Sequence, residues 1–239
     1  MSASPARSER GRRPRGSVTA EGILDAAERV AAESYERLTM RAVAAELAAS
    51  PMALYRYFAT KDDLIDALLD RVLSRFEPDP PTDDWLEDLR RFAVAHHRVL
   101  AAHPQAITSL FNHPTPGRSA TGIGELALGI LRRGGLTGAD AVAAFSGLLA
   151  LNYGWAAFAT ARSTAPPGDP RDAPTLRNAL LSLPAQAYPL TVEVAEDLSR
   201  YGSEEHFERA LGHALTGIGA VAAAGPGPRG ARSSDRSDG

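Results

Sequence analysis

Residues 50–69 read SPMALYRYFATKDDLIDALL, and three bulky polar-tipped side chains, Tyr55, Arg56 and Tyr57, stand side by side in it. Ser50 followed by Pro51 is a helix-start signal, because proline at the first helical position gives up an N–H that has no partner there anyway. The helix that follows has room for about two turns before the Ala59-Thr60 break. On so short an element three such side chains cannot all be buried. Leu54 and Phe58, four apart, are the pair that faces inward, which leaves Met52, Ala53, Tyr55, Arg56 and Tyr57 to an outer surface.

The elements on either side give that surface a context. Thr39 can cap a preceding helix with Met40, Val43, Ala44 and Leu47 on its buried face, and Thr19 can cap an earlier one with Ile23, Ala26, Ala27, Val30 and Ala31. Thr60 with Asp63 reads as a capping box for a fourth helix whose stripe is Leu64, Ile65, Leu68, Leu69 and Val72. Two short helices joined by the link Ala48-Ala49-Ser50 form a helix-turn-helix, in which the second helix enters the major groove. Arg41 opens the first of the pair, and Lys61, the only lysine in the chain, lies in the first turn of the helix after it. Phenol hydroxyls, guanidinium and ammonium groups are what phosphate oxygens require of a partner. Met52 and Ala53 lack the donors for bidentate base contacts, so direct readout here leans on thymine methyls, with the rest left to Ser50, Arg56, DNA shape or the N-terminal arginine arm in a minor groove, an arm that a solvated, unbound state fits equally well.

The bulk composition is consistent with a local nucleic-acid surface. A chain of 239 residues with a net charge of −3 and 44% hydrophobic residues is an ordinary globular protein, not a polycation. It has no cysteine, hence no disulfide, thiolate nucleophile or Cys-bound metal. Residues 1–18 form an expected disordered arm with a net charge of +4 from Arg7, Arg10, Arg12, Arg13 and Arg15 against Glu9. No apolar signal core follows, so the expected location is cytoplasmic. Residues 224–239 read as a second disordered, charge-balanced tail.

Patterning between the tails is helical almost throughout, so the expected fold class is all-α. The proline-rich segment PDPPTDD, 78–84, separates an expected DNA-binding domain at 19–77 from a larger helical domain at 84–223. In the latter, helices are expected from a cap at Asp84 to His103, then over 105–111, 119–133, 138–161, 173–183, 189–201 and 203–223. Residues 141–161 carry no charge and are long enough for a bilayer, which needs about 20 residues. Ser146, Asn152, Tyr153 and Thr160 make the run only weakly hydrophobic, and a central or interface helix is the reading adopted, with no membrane partner.

The stretch Leu38–Asp70, LTMRAVAAELAASPMALYRYFATKDDLIDALLD, resembles the N-terminal domain of the TetR family of transcriptional repressors, and the likeness extends back through AEGILDAAERVAAE to cover about residues 18–75. That resemblance implies that Thr39, Arg41, Tyr55, Tyr57 and Lys61 hold phosphates and that Ser50, Pro51, Met52 and Ala53 lie against bases. Tyr57 stands where the family often has histidine. Ser34 and Ala48 stand where it usually has glycine, which implies strain or a different turn at those points.

More loosely, HHRVLAAHPQA, YPLTVEVAEDL and EEHFERALGHALTGI resemble the ligand-binding and dimerisation domain of the tetracycline-repressor branch. A homodimer built on a four-helix bundle follows from that likeness. Its candidates are the helix with Phe145, Leu148, Leu151, Trp155 and Phe158 and the last helix, with Phe207, Ala210, Leu211, Ala214, Leu215 and Ile218; a plain core role fits the same residues. Polar tips among apolar helices make His96, His97, Leu100, Phe111, Asn112, His113, Asn152 and Trp155 the candidate inducer site. The tetracycline-binding member uses magnesium, but no metal-ligand spacing is present here, and neither a metal nor a cofactor is assigned. Hydrolase, zinc-protease and nucleotide-loop motifs are absent, and the glycines of GIGELALG and GIGA are wrongly spaced for a dinucleotide site. The expected function is a ligand-responsive repressor on a palindromic operator; the alternative is a small-molecule binding protein with a vestigial helix-turn-helix.

Overall fold

The computed structural model describes residues 18–32, 35–112 and 117–225. The arginine arm, Ser34, His113 and all but the first two residues of the C-terminal tail lie outside them. Twelve α-helices and no strand occur among the described residues, so the chain is all-α. They form two compact units, one ending at Leu64 and the other starting at Ile65.

The first unit contains α1 (Ala20–Ala31), α2 (Met40–Glu46), α3 (Pro51–Leu54) and the start of α4 (Lys61–Leu73). Thr19 Oγ1 accepts from Gly22 N and Thr39 Oγ1 from Ala42 N, both at 3.1 Å, which satisfies one orphan donor at each helix start. The face buried by α1 is Ile23, Leu24, Ala26, Ala27 and Ala31, while Val30 is only half-buried. At the start of α4, Thr60 N donates to Asp63 Oδ2 and Asp63 N to Thr60 Oγ1 at 2.9 and 3.0 Å, the reciprocal bonds of a capping box.

The turn from α2 into α3 is a Schellman motif. Ala49 N donates to Ala44 O and Ala48 N to Ala45 O, at 2.9 and 3.0 Å, which closes the last carbonyls of α2. The motif demands a left-handed residue, and Ala48 provides it at φ +51°, the one positive-φ non-glycine residue among those described. The expected strain is therefore present, and the turn keeps its glycine geometry without the glycine.

Two expectations in this region need correction. The stretch after Ser50 is not a two-turn α-helix: α-helix covers only Pro51–Leu54, and Tyr57 N and Phe58 N both close onto Leu54 O, at 2.9 and 3.0 Å. Ser50 sits at the N-cap position but its hydroxyl makes no capping bond. Its own carbonyl takes Ala53 N at 2.9 Å and Pro51 has no N–H, so little is left for the side chain to cap.

The second unit is organised around α5 (Trp85–Ala102), which starts on Asp84 Oδ1 accepting from Leu86 N and Glu87 N at 2.9 and 3.1 Å. Against it pack α7 (Arg118–Arg133), α8 (Gly138–Ser163) and α12 (Glu204–Ala224), with the short α6 (Ile107–Asn112) following a 3₁₀ turn at Pro104–Ala106. Their common core includes Leu89, Phe92, Ala93, Ile123, Leu131, Leu148, Phe207 and Leu211. Gly134, just past α7, is required by the Trp85 ring, since a Cβ there would come within 2.4 Å of it. The remaining α9 (Ala173–Leu181), α10 (Pro189–Glu193) and α11 (Ala195–Ser199) pack on one another. The single helix expected over 189–201 is split at Val194, where the chain leaves helical geometry and so buries Ala195 and Ser199. Pro184 stops α9 early, because a residue preceding proline is pushed out of the helical region.

One contact joins α4 and α7 inside this unit. Asp70 Oδ1 accepts from Ser119 N at 2.7 Å, so a carboxylate of α4 caps a helix whose own N-cap residue, Gly117, has no side chain. A Cβ on Gly117 would lie 2.4 Å from that carboxylate oxygen.

Removing the strain at Ala48 should stabilise the protein. A left-handed alanine costs about 1–2 kcal/mol, and glycine gives back about 0.4–1 kcal/mol of that through unfolded-state entropy. Ala48 is exposed, so its methyl contributes little packing. Ala48→Gly is expected to raise the unfolding free energy measured in urea by roughly 0.5–1 kcal/mol; a loss of stability would show that the turn carries no strain.

Candidate nucleic-acid interface and buried polar centre

The helix-turn-helix holds its outer face by one anchor. Leu54 is fully buried and Phe58 half-buried, while Met52, Tyr55 and Tyr57 are 71%, 45% and 45% exposed. Arg41, Arg56 and Lys61 are exposed and make no ion pair among the described residues. Thr39 Oγ1 is occupied as an acceptor by Ala42 N, which leaves its O–H free to donate. The unspent Ser50 hydroxyl is likewise available. The structure thus brings Thr39, Arg41, Ser50, Pro51, Met52, Ala53, Tyr55, Arg56, Tyr57 and Lys61 together in the helix-turn-helix unit and the first turn of α4. Most of their polar tips are unpaired, and desolvating them against phosphates would break no existing bond.

Tyr57 is the exception, and no local pattern marks it. Its hydroxyl donates to Val18 O at 2.6 Å, tying the residue before the Thr19 cap of α1 to the end of the α3 turn. A phenol so engaged can accept from a further donor but has no proton left for a phosphate.

The candidate inducer residues separate into a buried group and a scattered remainder. His96 and Asn152 are 1% and 0% exposed, and Asn152 Nδ2 lies 3.0 Å from both His96 Nδ1 and Ala93 O. A charge-poor helix, α8, is thereby pinned to α5 by one amide. Asn152 Oδ1 and His97 Nδ1 are buried without a hydrogen-bond partner. His97 stacks on Phe207 at 4.0 Å between ring centroids, and its Nε2 is 3.7 Å from Glu204 Oε2. Leu100 joins Ile107 and Ala156 in a small apolar cluster. Trp155 donates to Ser203 O at 3.0 Å, so its indole N–H is already used between α8 and the start of α12. Asn112 is exposed at the end of α6, which also contains Phe111.

Sequence reasoning missed the ion cluster of Asp88. This nearly buried carboxylate takes Arg133, Thr82 N at 3.0 Å and Thr82 Oγ1 at 2.8 Å, and Arg91 lies 3.8 Å away. Hydrogen bonding to Arg133, above all, holds its pKa below the ordinary aspartate value. An acidic residue on the apolar face of α5 between Trp85 and Leu89 was the available signal.

Burial drives His96 in the opposite sense to a salt-bridged histidine, lowering its pKa from 6.5 to about 4, with the neighbouring His97 adding to the effect. His97 is lowered too, by burial, against the pull of Glu204. Because the unfolded chain binds a proton near pH 6.5 and the folded His96 does not until about pH 4, stability should fall as pH drops through that window. The His96 contribution amounts to roughly 3 kcal/mol over the full range. Urea unfolding between pH 7 and 4 should show this slope, and His96→Gln should flatten it; an unchanged slope would mean that His96 protonates without opening the core.

Comparison with known proteins agrees with this architecture. Residues 23–68 match the profile of bacterial regulatory proteins of the tetR family, and residues 77–222 match the tetracyclin repressor-like C-terminal domain. The chain is 35% identical over 136 residues, 56% of its length, to the HTH-type transcriptional repressor DrrR1 of Streptomyces coeruleorubidus. It is 32% identical over 149 residues, 62% of its length, to an HTH-type transcriptional regulator of Saccharopolyspora erythraea. These matches span 50% and 62% of the relatives' own lengths. Among solved structures, apo ActR of Streptomyces coelicolor superposes with a TM-score of 0.78 at 26% identity, covering 87% of this chain and 98% of ActR. ActR in complex with actinorhodin gives 0.76 at 27% identity, with 86% and 98% covered. With both domain profiles matched in order and the same fold in its solved relatives, this chain belongs to the TetR family.

Proposed function

We propose that the protein is a homodimeric repressor that binds an inverted-repeat operator through α3 and releases it when a small molecule occupies the second unit. The observation that carries this reading is the outer face of α3, where Met52, Tyr55 and Arg56 are exposed on a turn fixed from behind by the fully buried Leu54. An apolar Met52 at 71% exposure is costly in water and useful against a thymine methyl. Thr39, Arg41, Tyr55 and Lys61 would hold the backbone on either side. Tyr57 would act chiefly through Val18, holding the chain just before the Thr19 cap of α1.

Dimerisation is supported by what α8 and α12 leave uncovered. Among the described residues α8 is the one helix long and apolar enough to cross a bilayer, with a mean hydropathy of 1.4 over a window only 22% buried within the chain. Leu148, Phe207, Leu211 and Leu215 are core residues of the protomer, so they are not the dimer face. The outward stripe of α8 is instead Ala143, Gly147, Ala150 and Phe158, with Gly154 half-buried along it and Val221 exposed on α12. Small residues of that kind allow two helix backbones to approach closely.

Inducer binding is supported by the ligand-bound structures of ActR, with actinorhodin and with (S)-DNPA. In this chain the orphaned Asn152 Oδ1 and His97 Nδ1 are the buried polar atoms with capacity to meet a ligand between α5 and α8. Since α4 leads from the DNA-binding unit without a break to Leu73, it is the element through which such a ligand would act. Coupling of this kind is commonly about 1–3 kcal/mol and reciprocal, so operator DNA should weaken ligand binding by the same factor.

Selection of bound sequences from random DNA should return an inverted repeat with half-sites about one helical turn, ~10 bp, or a multiple apart. On that site Lys61→Ala should weaken binding to all variants alike and lower the salt slope by about 1 per half-site. Failure to enrich any sequence would favour a vestigial helix-turn-helix. In sedimentation the wild type should be a dimer at micromolar concentration, and Gly147→Glu with Gly154→Glu a folded monomer; a monomeric wild type would exclude the dimer.

A further inference from the structure

Two sulfur atoms occur among the described residues, and their surroundings are opposite. Met40, at the start of α2, is 6% exposed and belongs to the core of the first unit. Met52, on α3, is 71% exposed. The third methionine, Met1, lies outside the described residues, and the chain has no cysteine, so no thiol of its own competes for an oxidant. A thioether reacts by offering a sulfur lone pair, and accessibility decides which of two methionines reacts first. Of this pair, Met52 is the one that an oxidant in solution meets.

Packing within the protomer gives no reason for a thioether at position 52. The turn is anchored by the fully buried Leu54, not by Met52, and a leucine at 52 would offer a thymine methyl a similar apolar surface. What sulfur adds is chemistry. A lone pair on Met52 Sδ attacks one oxygen of hydrogen peroxide; the S–O bond forms, the O–O bond breaks, and the second oxygen leaves as water with both protons. Sulfur loses two electrons and the peroxide gains them. The product is a sulfoxide, which carries a polar oxygen on a side chain that was apolar. Against a thymine methyl that oxygen would be a desolvated acceptor with no donor, an unfavourable arrangement. The change at Met52 stays on the surface, whereas the same change at Met40 would place a polar group in the core.

We propose that Met52 is an oxidative modification site whose sulfoxide switches operator binding off, formed by hydrogen peroxide or another two-electron oxygen donor and removed by a thiol-dependent sulfoxide reductase. In the removal two thiols become a disulfide and the sulfoxide oxygen leaves as water. The switch rests on the operator reading above, which sets Met52 against bases. It gives the DNA-binding unit an input of its own, independent of any small molecule held by the second unit.

Hydrogen peroxide added to the full chain, with peptide mass spectrometry and operator binding followed together, tests the proposal. Met52 should gain oxygen about ten times faster than Met40 or more, and saturating operator duplex should slow Met52 about five-fold while leaving Met40 unchanged. Once Met52 is converted, operator affinity should fall about ten-fold or more, while affinity for random duplex, set by phosphate contacts, should stay within about two-fold. The two epimer-specific methionine sulfoxide reductases, driven by dithiothreitol, should restore operator affinity. Met52→Leu, whatever its own starting affinity, should bind equally well before and after peroxide, and Met40→Leu should respond as the wild type does. A protein that selects no operator before any peroxide is added overturns the operator reading, and the switch with it. Operator affinity that survives full conversion of Met52, or a loss that Met52→Leu shares, overturns the switch alone.

Discussion

A helix enclosed by other helices cannot keep a charge it cannot neutralise, and α5 is organised by that constraint. Leu89, Phe92, Ala93 and Leu100 make it a core element, yet it also buries Asp88, His96 and His97. Asp88 stays ionised because Arg133 and Thr82 surround it. His96 takes the other course and is held neutral, free to share its ring nitrogen with Asn152 of α8. These two solutions fix the neighbours of α5: one binds the proline-rich segment and the end of α7, the other fixes the register of α8. A leucine at either position would pack but would not specify which neighbour lies where.

Much of this was readable in the chain, and the reasons differ by element. Capping residues act locally, so Thr19, Thr39, Thr60 with Asp63, and Asp84 announced four helix starts that the structure keeps. Ala48 was legible because a Schellman turn needs a left-handed residue whatever occupies it. The α-helix after Ser50 is shorter than its side-chain pattern suggests because its hydrogen bonding closes twice onto Leu54, a choice between helix and turn that side-chain pattern does not encode. The split at Val194 was likewise hidden, since the apolar spacing of 189–201 suits one helix and the burial of Ala195 and Ser199 is decided by α9.

Long-range polar contacts were the least legible. Tyr57 to Val18, Asp70 to Ser119 and Arg133 to Asp88 join residues 39, 49 and 45 apart. Nothing in the local sequence of either partner marks the pair. The weak signs were negative ones: a helix beginning on Gly117 with no cap of its own, and an aspartate on an apolar face. The apolar stripes of α8 and α12 show the same limit, because periodicity identifies an apolar face but not what covers it.

The Asp70–Ser119 bond makes α7 sensitive to the position of α4. At 2.7 Å it has less than ~1 Å of slack before the hydrogen bond is lost, and Gly117 offers no side chain to replace it. A slide of α4 along its axis by a single residue, about 1.5 Å, would leave the positive end of α7's dipole facing nothing. Small displacements of α4 are thus converted from a graded movement into the making or breaking of one electrical contact, and α7 answers to them as a latch does, either held or let go.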